Sequence, residues 1–344
     1  MLALRKQAAA PGIALDDVAE PSLETGEVMV EVAAAGICGS DLHVAAWSPA
    51  YAFMTPALPV TLGHEFAGTV VALGPGATTP EPGTRVVVMP SVTCGTCAGC
   101  RRGGPDACTS RTGLGMTRNG AFARMVAVPA ANCVAIPDTM SFALAALTEP
   151  LTVSWEAVRR GSVGPGSRIL VMGPGTIGQG VALLARHAGA AQVVVTGFRD
   201  AARLEVLRSM GFTATIDMAE AGARDRLRDA ARGGFDVVIE ATGRPSTIAD
   251  GLALLASGGI LVVSGIHDAP AEFDATTLVR RNLQIRGSYR APRAVWPAVV
   301  DLLAADPAGF APMITRRVGL AEAPDAFALA AARSVSKIIV EPSR

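Results

Sequence analysis

Four of the six cysteines lie within one short segment, with the spacing C-x2-C-x2-C-x7-C. They are Cys94, Cys97, Cys100 and Cys108. Four thiolates so close in sequence can surround one zinc ion as a tetrahedron, which leaves no coordination position for a substrate. The spacing therefore predicts a structural zinc that fixes a loop. A disulfide cluster and a zinc module that binds nucleic acid are the alternatives.

A second set of metal-binding residue types is spread over the first part of the chain. Cys38 lies in G-I-C-G-S-D-L-H, His64 in G-H-E, and Glu149 in T-E-P-L. Taken singly each is ordinary, because a lone buried cysteine usually packs in a core and a lone histidine usually satisfies its own hydrogen bonds. Together they offer one thiolate, one imidazole and one carboxylate, a ligand set that suits a catalytic zinc with an open fourth position.

A glycine-rich turn follows the apolar run R-I-L-V-M and opens a helical segment. It reads G-x-G-x-x-G, with Gly173, Gly175 and Gly178 around Thr176 and Ile177. The glycines permit a tight turn, close approach of backbone to a pyrophosphate, and packing of helix on strand. The free N–H groups of the helix N-terminus favour a bound anion. The pattern predicts a dinucleotide site, and a glycine turn without a ligand is the alternative.

The next strand should end in an acidic residue that binds the ribose hydroxyls of NAD. Gly197 stands at that place instead. A glycine removes the repulsion that a carboxylate would exert on a 2′-phosphate, and Arg199, together with Arg203, could pair with that phosphate. The sequence thus favours NADP(H) over NAD(H). Asp200 lies close enough to keep NAD as an alternative, and a solvent-facing Arg199 is another.

The chain has three zones that differ in their sequence pattern, and the elements of these zones must position the residues above. The first 150 residues carry short Val-rich runs between Gly and Pro, which favours an irregular β-barrel or sandwich. Its predicted strands are Glu27–Ala35, Val60–Leu73, Thr84–Met89 and Ala121–Val128. From about residue 153 to 290, strands alternate with helices, which predicts a doubly wound parallel sheet. There we predict strands Arg168–Gly173, Gln192–Thr196, Phe235–Ala241 and Ile260–Gly265, and helices Thr176–Ala188 and Ala201–Met210. The last fifty residues return to shorter pieces.

Length, charge and composition limit the class of protein further. At 344 residues the chain exceeds a usual single domain, and its formal net charge of zero argues against a nucleic-acid partner. The N-terminus lacks the apolar stretch of a signal peptide, and the longest uncharged run, Gly251–Ile266, is too short to span a bilayer. Cysteines at metal spacing without a secretory signal predict a reducing cytoplasm and no membrane partner.

In these motifs the chain resembles the zinc-dependent medium-chain alcohol dehydrogenases of the polyol, butanediol and threonine dehydrogenase type. G-I-C-G-S-D-L-H, G-H-E, the four-cysteine segment, E-P-L, G-x-G-x-x-G and E-A-T-G occur in the family's order over the whole length. The resemblance implies an α/β protein with a GroES-like β-rich catalytic domain (residues 1–152 and 293–344) and an inserted Rossmann domain (residues 153–292). It implies two zinc ions per subunit, a nicotinamide cofactor and a homodimer or homotetramer.

The resemblance also implies roles for individual residues. Glu149 takes the place of a second cysteine ligand, and Glu65 resembles an acidic residue that can exchange with it at the metal. Ser40 takes the proton of the alcohol and passes it through the nicotinamide ribose to His43, while hydride leaves for the nicotinamide ring. Ser40 could instead bond local backbone. A zinc-independent reductase and a non-catalytic protein of the same superfamily are the rival functions.

Overall fold

The structure is a computed structural model that describes residues 1–344. Its strands are β1 Leu2–Lys6, β2 Ala14–Asp17, β3 Glu27–Gly36, β4 Val60–Thr61, β5 Glu65–Leu73, β6 Arg85–Val88, β7 Ser91–Val92, β8 Thr112–Gly113, β9 Met125–Pro129, β10 Cys133–Ala135, β11 Arg168–Met172, β12 Gln192–Gly197, β13 Thr215–Asp217, β14 Phe235–Glu240, β15 Leu255–Val263, β16 Gln284–Gly287, β17 Ile314–Gly319 and β18 Lys337–Glu341. Its α-helices are α1 Gly39–Ala46, α2 Ala98–Gly103, α3 Phe142–Ala145, α4 Thr148–Arg160, α5 Thr176–His187, α6 Ala201–Ser209, α7 Ala223–Ala230, α8 Ser246–Leu254, α9 Ala275–Arg280, α10 Val295–Ala305, α11 Pro307–Phe310 and α12 Ala323–Ala331.

The chain divides into two units. The first unit holds Met1–Glu149 and Pro292–Arg344, and the second holds Pro150–Ala291. No helix is both long and apolar enough to cross a membrane.

The first unit is built on a seven-stranded sheet with the order β10-β6-β5-β3-β18-β17, in which β9 also pairs with β3. Strand β3 is its centre because it pairs antiparallel with β5, β9 and β18. Val28, Val30 and Val32 alternate along β3 and are all 0 % exposed, as expected of a strand with one face on a core. The C-terminal strand β18 thus lies beside the N-terminal β3, close to the Gly36-Ile37-Cys38 segment.

The second unit contains a six-stranded parallel sheet with the order β13-β12-β11-β14-β15-β16. This is the 3-2-1-4-5-6 order of a dinucleotide-binding fold, and it confirms the predicted doubly wound sheet. Ile169, Leu170 and Val171 of β11 are fully buried, which is typical of a central parallel strand covered on both faces. The strand order reverses between β11 and β14, and ligands bind such sheets at the carboxyl ends of the strands at this point.

Two predicted strands of the first unit differ from the structure. The predicted strand Val60–Leu73 is broken into β4 and β5, because Leu62, Gly63 and His64 leave the ladder and carry the histidine away from it. Of the predicted strand Ala121–Val128, only the part from Met125 onward pairs as β9. In both places the apolar composition continues through a loop that is itself buried, so composition alone did not mark the break.

Candidate functional site

The first unit brings one thiol, one imidazole and one carboxyl together. Cys38 is the residue before α1, His64 lies in the loop between β4 and β5, and Glu65 begins β5. Their ligand atoms all lie within 4.8 Å of one another. Burial, and secondarily Glu65, raise the pKa of the Cys38 thiol. A divalent cation would offset this concentration of buried negative charge, so the donor set fits a zinc ion.

Asp41 orients the imidazole of His64. This carboxylate is 0 % exposed, accepts the Cys38 N–H at 2.9 Å, and has Oδ1 3.5 Å from His64 Nδ1. Burial alone would lower the pKa of His64, but Asp41 and Cys38 raise it well above its usual value. On the other side of the ring, Nε2 lies 3.3 Å from Ser40 Oγ. A carboxylate at Nδ1 is the usual outer partner of a metal-binding histidine, because it leaves Nε2 to the metal.

Glu65 also belongs to a buried ion pair that the sequence analysis did not predict. Lys337 Nζ is 2.5 Å from Glu65 Oε2 and donates to the Ile37 carbonyl at 2.8 Å. Both side chains are 1 % exposed. Burial lowers the pKa of Lys337, but Glu65 and Cys38 raise it more. A Cβ at position 36 would lie 2.3 Å from Glu65 Oε2, so Gly36 is what allows this carboxylate to reach the lysine.

Glu149, the predicted third ligand, lies near the start of helix α4 and is not among the three residues whose ligand atoms lie within 4.8 Å of one another, where Glu65 stands instead. Its carboxyl nevertheless responds to the charges of this group. Burial raises the pKa of its carboxyl to about 7, with His64 and Lys337 opposing and Glu65 adding to the rise. The two residues assigned to proton transfer lie on α1. Ser40 contacts His64, as described, and His43 is exposed, with its ring stacked on Tyr51 at 6.0 Å and 12°.

The four-cysteine segment gathers its sulfur atoms around one point. The Sγ atoms of Cys94 and Cys108 are 3.7 Å apart, and Cys94–Cys100 and Cys97–Cys108 are each 4.0 Å apart. Sulfur ligands at 2.3 Å from a tetrahedral zinc would be about 3.8 Å apart, so the arrangement fits that ion. No two of the six cysteine sulfurs are bonded to each other, so the arrangement favours a metal site over the disulfide alternative.

Backbone N–H groups also point at these sulfurs, as is typical of a loop built around thiolates. Cys97 N–H donates to Cys94 Sγ at 3.3 Å, and Cys100 N–H donates to Cys97 Sγ at 3.4 Å. Hydrogen bonds from the Cys100 and Thr109 backbones lower the pKa of Cys97 to about 5. The loop therefore stabilises at least part of the negative charge that a metal requires.

The glycine turn of the second unit joins β11 to α5 at the carboxyl edge of the sheet. Gly173 has φ +110°, a conformation that favours glycine, and a Cβ on Gly178 would lie 1.8 Å from the Gly173 carbonyl. Gly175 precedes the helix, whose first residues are Thr176 and Ile177. The first turn of α5 therefore offers its unpaired N–H groups at the edge where a pyrophosphate binds in this fold.

Beyond the next strand, Gly197 ends β12 and a sharp turn follows. Asp217 of β13 holds this turn by accepting the N–H groups of Arg199 at 2.8 Å and Asp200 at 3.0 Å. Asp200 is 3 % exposed and forms a two-pronged ion pair with Arg203. The Asp200 carboxylate is thus already neutralised. Arg203 also approaches the glycine turn, where its Nη1 lies 3.4 Å from the place of a Gly175 Cβ.

The sequence motifs did not identify three residues that support these sites, which are Asp41, Lys337 and Asp217. Asp41 had a local signal, because an acidic residue three positions after Cys38 can bond the cysteine N–H at the start of a helix. Lys337 and Asp217 had none. They reach their partners through strand pairing, which brings distant segments of the chain together.

Comparison with known protein families gives two matches. Residues 24–138 match the family described as alcohol dehydrogenase GroES-like domain, and residues 176–305 match zinc-binding dehydrogenase. The two matches together cover more than half of the chain, and they confirm the predicted fold class.

Individual relatives span the chain from end to end. L-threonine 3-dehydrogenase of Streptomyces avermitilis is 35 % identical over 99 % of both chains. A zinc-binding dehydrogenase from Sinorhizobium meliloti, solved with bound NADP, has 32 % identity and a TM-score of 0.89, with 99 % of each chain covered. 2R,3R-butanediol dehydrogenase from Bacillus subtilis has 27 % identity and a TM-score of 0.88 over the same share.

Proposed function

The chain belongs to the zinc-dependent medium-chain alcohol dehydrogenases, and from that membership we propose that it interconverts a secondary alcohol and a ketone with NADP(H). The observation that carries the proposal is the group formed by Cys38, His64 and Glu65, whose ligand atoms lie within 4.8 Å of one another. The unit Met1–Glu149 with Pro292–Arg344 would bind zinc and the alcohol, and the unit Pro150–Ala291 would bind the cofactor.

Cys38, His64 and Glu149 would hold the catalytic zinc, with Glu65 as an exchange ligand. When bound, zinc supplies a Lewis acid that lowers the pKa of an alcohol hydroxyl. Lys337 already neutralises Glu65 through their ion pair. This supports Glu149 as the carboxylate that binds the metal in the resting enzyme. The raised pKa of Glu149 fits this role, since a buried carboxyl gains most from a cation beside it.

Ser40 and His43 would move the proton. Ser40 Oγ lies beside His64 Nε2, at the metal-facing side of the imidazole, and can accept the proton of the alcohol there. His43 is on the same helix but exposed, so its ring can release a proton to solvent. The nicotinamide ring supplies the hydride chemistry, and the task of the protein is to hold it against the alcohol carbon.

Cys94, Cys97, Cys100 and Cys108 would hold a second, structural zinc. Their sulfur–sulfur distances of 3.7 to 4.0 Å and the N–H groups aimed at them support this. A four-sulfur shell is closed, so this ion would fix the loop and take no part in the reaction.

NADP(H) is favoured over NAD(H) by the turn after β12. Gly197 places no carboxylate beside the ribose, Asp200 is neutralised by Arg203, and the exposed Arg199 would pair with a 2′-phosphate. The NADP bound to the Sinorhizobium relative is consistent with this preference. Gly173, Gly175, Thr176, Ile177 and Gly178 would bind the pyrophosphate through the backbone.

The substrate we propose is a small secondary alcohol with a hydroxyl or amino group on the neighbouring carbon. Relatives named for L-threonine and for 2R,3R-butanediol support it, because both molecules have this arrangement. The test is a panel of threonine, 2,3-butanediol, linear polyols and an unsubstituted secondary alcohol such as 2-butanol, each assayed with NAD and NADP. Turnover of unsubstituted secondary alcohols alone would contradict the proposed class.

A homo-oligomer is proposed as well. Strand β16 ends the parallel sheet of the second unit, and its side chain Ile285 is 38 % exposed. An unpaired edge strand presents free N–H and C=O groups, which a second copy of the same strand can satisfy.

Cys38→Ser tests the catalytic assignment. We expect turnover to be lost and the zinc content to fall from about two ions per subunit to about one, because only the four-cysteine site remains intact. Binding of NADPH should persist. Cys133→Ser is the matched control, since this thiol belongs to neither cluster and burial raises its pKa to about 12. Full turnover of Cys38→Ser would favour a zinc-independent reductase instead.

A further inference from the structure

Glu240 and His267 face each other at the carboxyl ends of β14 and β15, and neither has a role in the proposed zinc sites or the glycine turn. Glu240 is the last residue of β14 and is 0 % exposed. Its Oε2 lies 3.5 Å from Nε2 of His267, in the turn after β15. Both of these atoms are buried, and neither has a hydrogen-bond partner.

The remaining contacts of both side chains engage the other polar atom of each. Glu240 Oε1 accepts the N–H groups of Thr242 at 2.6 Å and Gly243 at 3.0 Å, and the hydroxyls of Thr242 and Thr247. These four donors occupy Oε1, so Oε2 is the oxygen that faces His267. His267 Nδ1 lies 3.1 Å from the Gly265 carbonyl. A carbonyl only accepts, so Nδ1 must carry the N–H.

A neutral imidazole would then leave a lone pair on Nε2, facing a carboxylate oxygen. Two buried acceptors without a proton between them are both unsatisfied, which costs free energy for each. One proton shared between Nε2 and Oε2 removes this conflict and links His267 to Glu240. The other charged residues adjacent in sequence, Arg244 and Asp268, are exposed and bond neither group.

The pair joins two turns that touch along their backbones. A Cβ on Gly265 would lie 2.3 Å from the Gly243 nitrogen, and a Cβ on Gly243 (φ +70°) would lie 2.5 Å from the Ile266 carbonyl. Ser264 N–H also donates to the Glu240 carbonyl at 2.9 Å. The contact of Glu240 with His267 therefore adds a side-chain link between two turns whose backbones already touch.

We propose that Glu240 and His267 are positioning residues for the nicotinamide half of the cofactor, an inference that rests on the proposed function. Strands β14 to β16 form the half of the sheet that takes the second mononucleotide of a dinucleotide, on the other side of β11 from the Arg199 turn. The contact of Glu240 with His267 holds the edge of this half and leaves the adenosine half untouched.

His267→Leu separates the two halves experimentally. NADPH contains the nicotinamide half and 2′,5′-ADP lacks it, so dissociation constants for both are measured by calorimetry. We expect the affinity for NADPH to fall about tenfold, because the substitution removes the contact between Glu240 and the turn after β15, and that for 2′,5′-ADP to stay within about twofold. An equal loss for both ligands, or no loss, would overturn the inference. A wild type that binds neither NADPH nor NADH would overturn the proposed function itself.

Glu240→Gln is the matched variant, and it also serves if His267→Leu fails to fold. Its amide keeps Oε1 as an acceptor and can donate an N–H to His267 Nε2, so this conservative variant should restore the contact and keep NADPH affinity within about twofold of the wild type. A loss of NADPH affinity in Glu240→Gln as large as that in His267→Leu would overturn the pairing of Glu240 with His267.

Discussion

Lys337 and Lys6 are the only lysines of the chain, and both are fully buried. Their side-chain ammonium groups have different hydrogen-bond partners. Lys6 Nζ bonds backbone carbonyls, including Gly12 at 2.9 Å, and lies 5.1 Å from the Trp47 ring. Lys337 bonds the carboxylate of Glu65. Only Lys337 therefore balances a charge of the candidate site, and its loss leaves a buried carboxylate beside Cys38.

Lys337→Met should destabilise the protein by about 3 kcal/mol, because removing one partner of a buried ion pair strands the other charge. The double variant Glu65→Gln with Lys337→Met should regain part of this, since a neutral amide needs no cation. Denaturant unfolding of the wild type, both single variants and the double variant measures the coupling. Lys6→Met is the control, and its effect should add to that of Glu65→Gln. If the effects of Lys337→Met and Glu65→Gln on the free energy of unfolding simply added, the two side chains would not be coupled.

Arg199→Ala tests the second residue-level assignment. Loss of a charge-assisted bond to the 2′-phosphate should weaken NADPH binding by about tenfold or more and leave NADH binding within about threefold. Dissociation constants from nicotinamide fluorescence measure both. Arg208→Ala is the control, because Arg208 lies on α6 and bonds Glu205 and Thr215. Parallel losses for NADPH and NADH would argue against a role in cofactor choice.

At the scale of elements, the turn between β12 and α6 depends on the neighbouring strand β13. Asp217, at the end of β13, accepts three backbone N–H groups, from Arg199, Asp200 and Ala219. Burial would raise the pKa of this carboxyl, but these hydrogen bonds lower it below its usual value. Arg199 sits in this turn with φ +51°, so the shape that presents its side chain is imposed by Asp217 and not by Arg199 itself.

Asp217→Asn should destabilise the second unit by about 2 kcal/mol, because the amide turns one acceptor into a donor that faces backbone N–H groups. The carboxylate has a lowered pKa in the folded state, so its contribution is present above the unfolded pKa and is lost as pH falls through the folded value. The difference between wild type and variant should thus be constant near neutral pH and shrink below about pH 4. Unfolding curves at several pH values measure it.

The matched control for that series is Asp225→Asn, since Asp225 is exposed and pairs only with Arg228 on its own helix. Its effect on unfolding should be small at every pH. A difference between wild type and Asp217→Asn that grew on acidification would show that the carboxylate does not have the lowered pKa described.

Elements with strong local patterns were predictable, and those set by distant pairing were not. Strand β11, helix α5 and strand β12 follow from apolar runs and a glycine turn, and the predicted bounds differ by a residue at most. Strand β15 begins at Leu255, five residues before the prediction, because Ser257, Gly258 and Gly259 interrupt the apolar run that identifies it. The ligand types at the candidate site were readable from motifs, whereas the contact of Lys337 with Glu65 spans 272 residues and depends on the pairing of β18 with β3.

For the whole molecule, the two edges of the parallel sheet are not equivalent. Strand β13 at one edge has three residues and ends at Asp217, which is used within the unit. Strand β16 at the other edge has four residues, and Gln284, Ile285 and Gly287 are exposed. A neutral chain has no long-range repulsion to keep such edges apart. The β16 edge is therefore the better candidate for self-association.

Ile285→Lys tests this edge, because a lysine on an edge strand opposes pairing with a second copy through its charge and its bulk. We expect the wild type to be an oligomer by light scattering coupled to gel filtration, and the variant to shift to a smaller species at the same concentration. Leu329→Lys is a closely matched control, since Leu329 is also 38 % exposed but lies on α12 of the other unit. NADPH binding should be retained in both variants. A monomeric wild type, or an unchanged mass for Ile285→Lys, would exclude β16 as the contact.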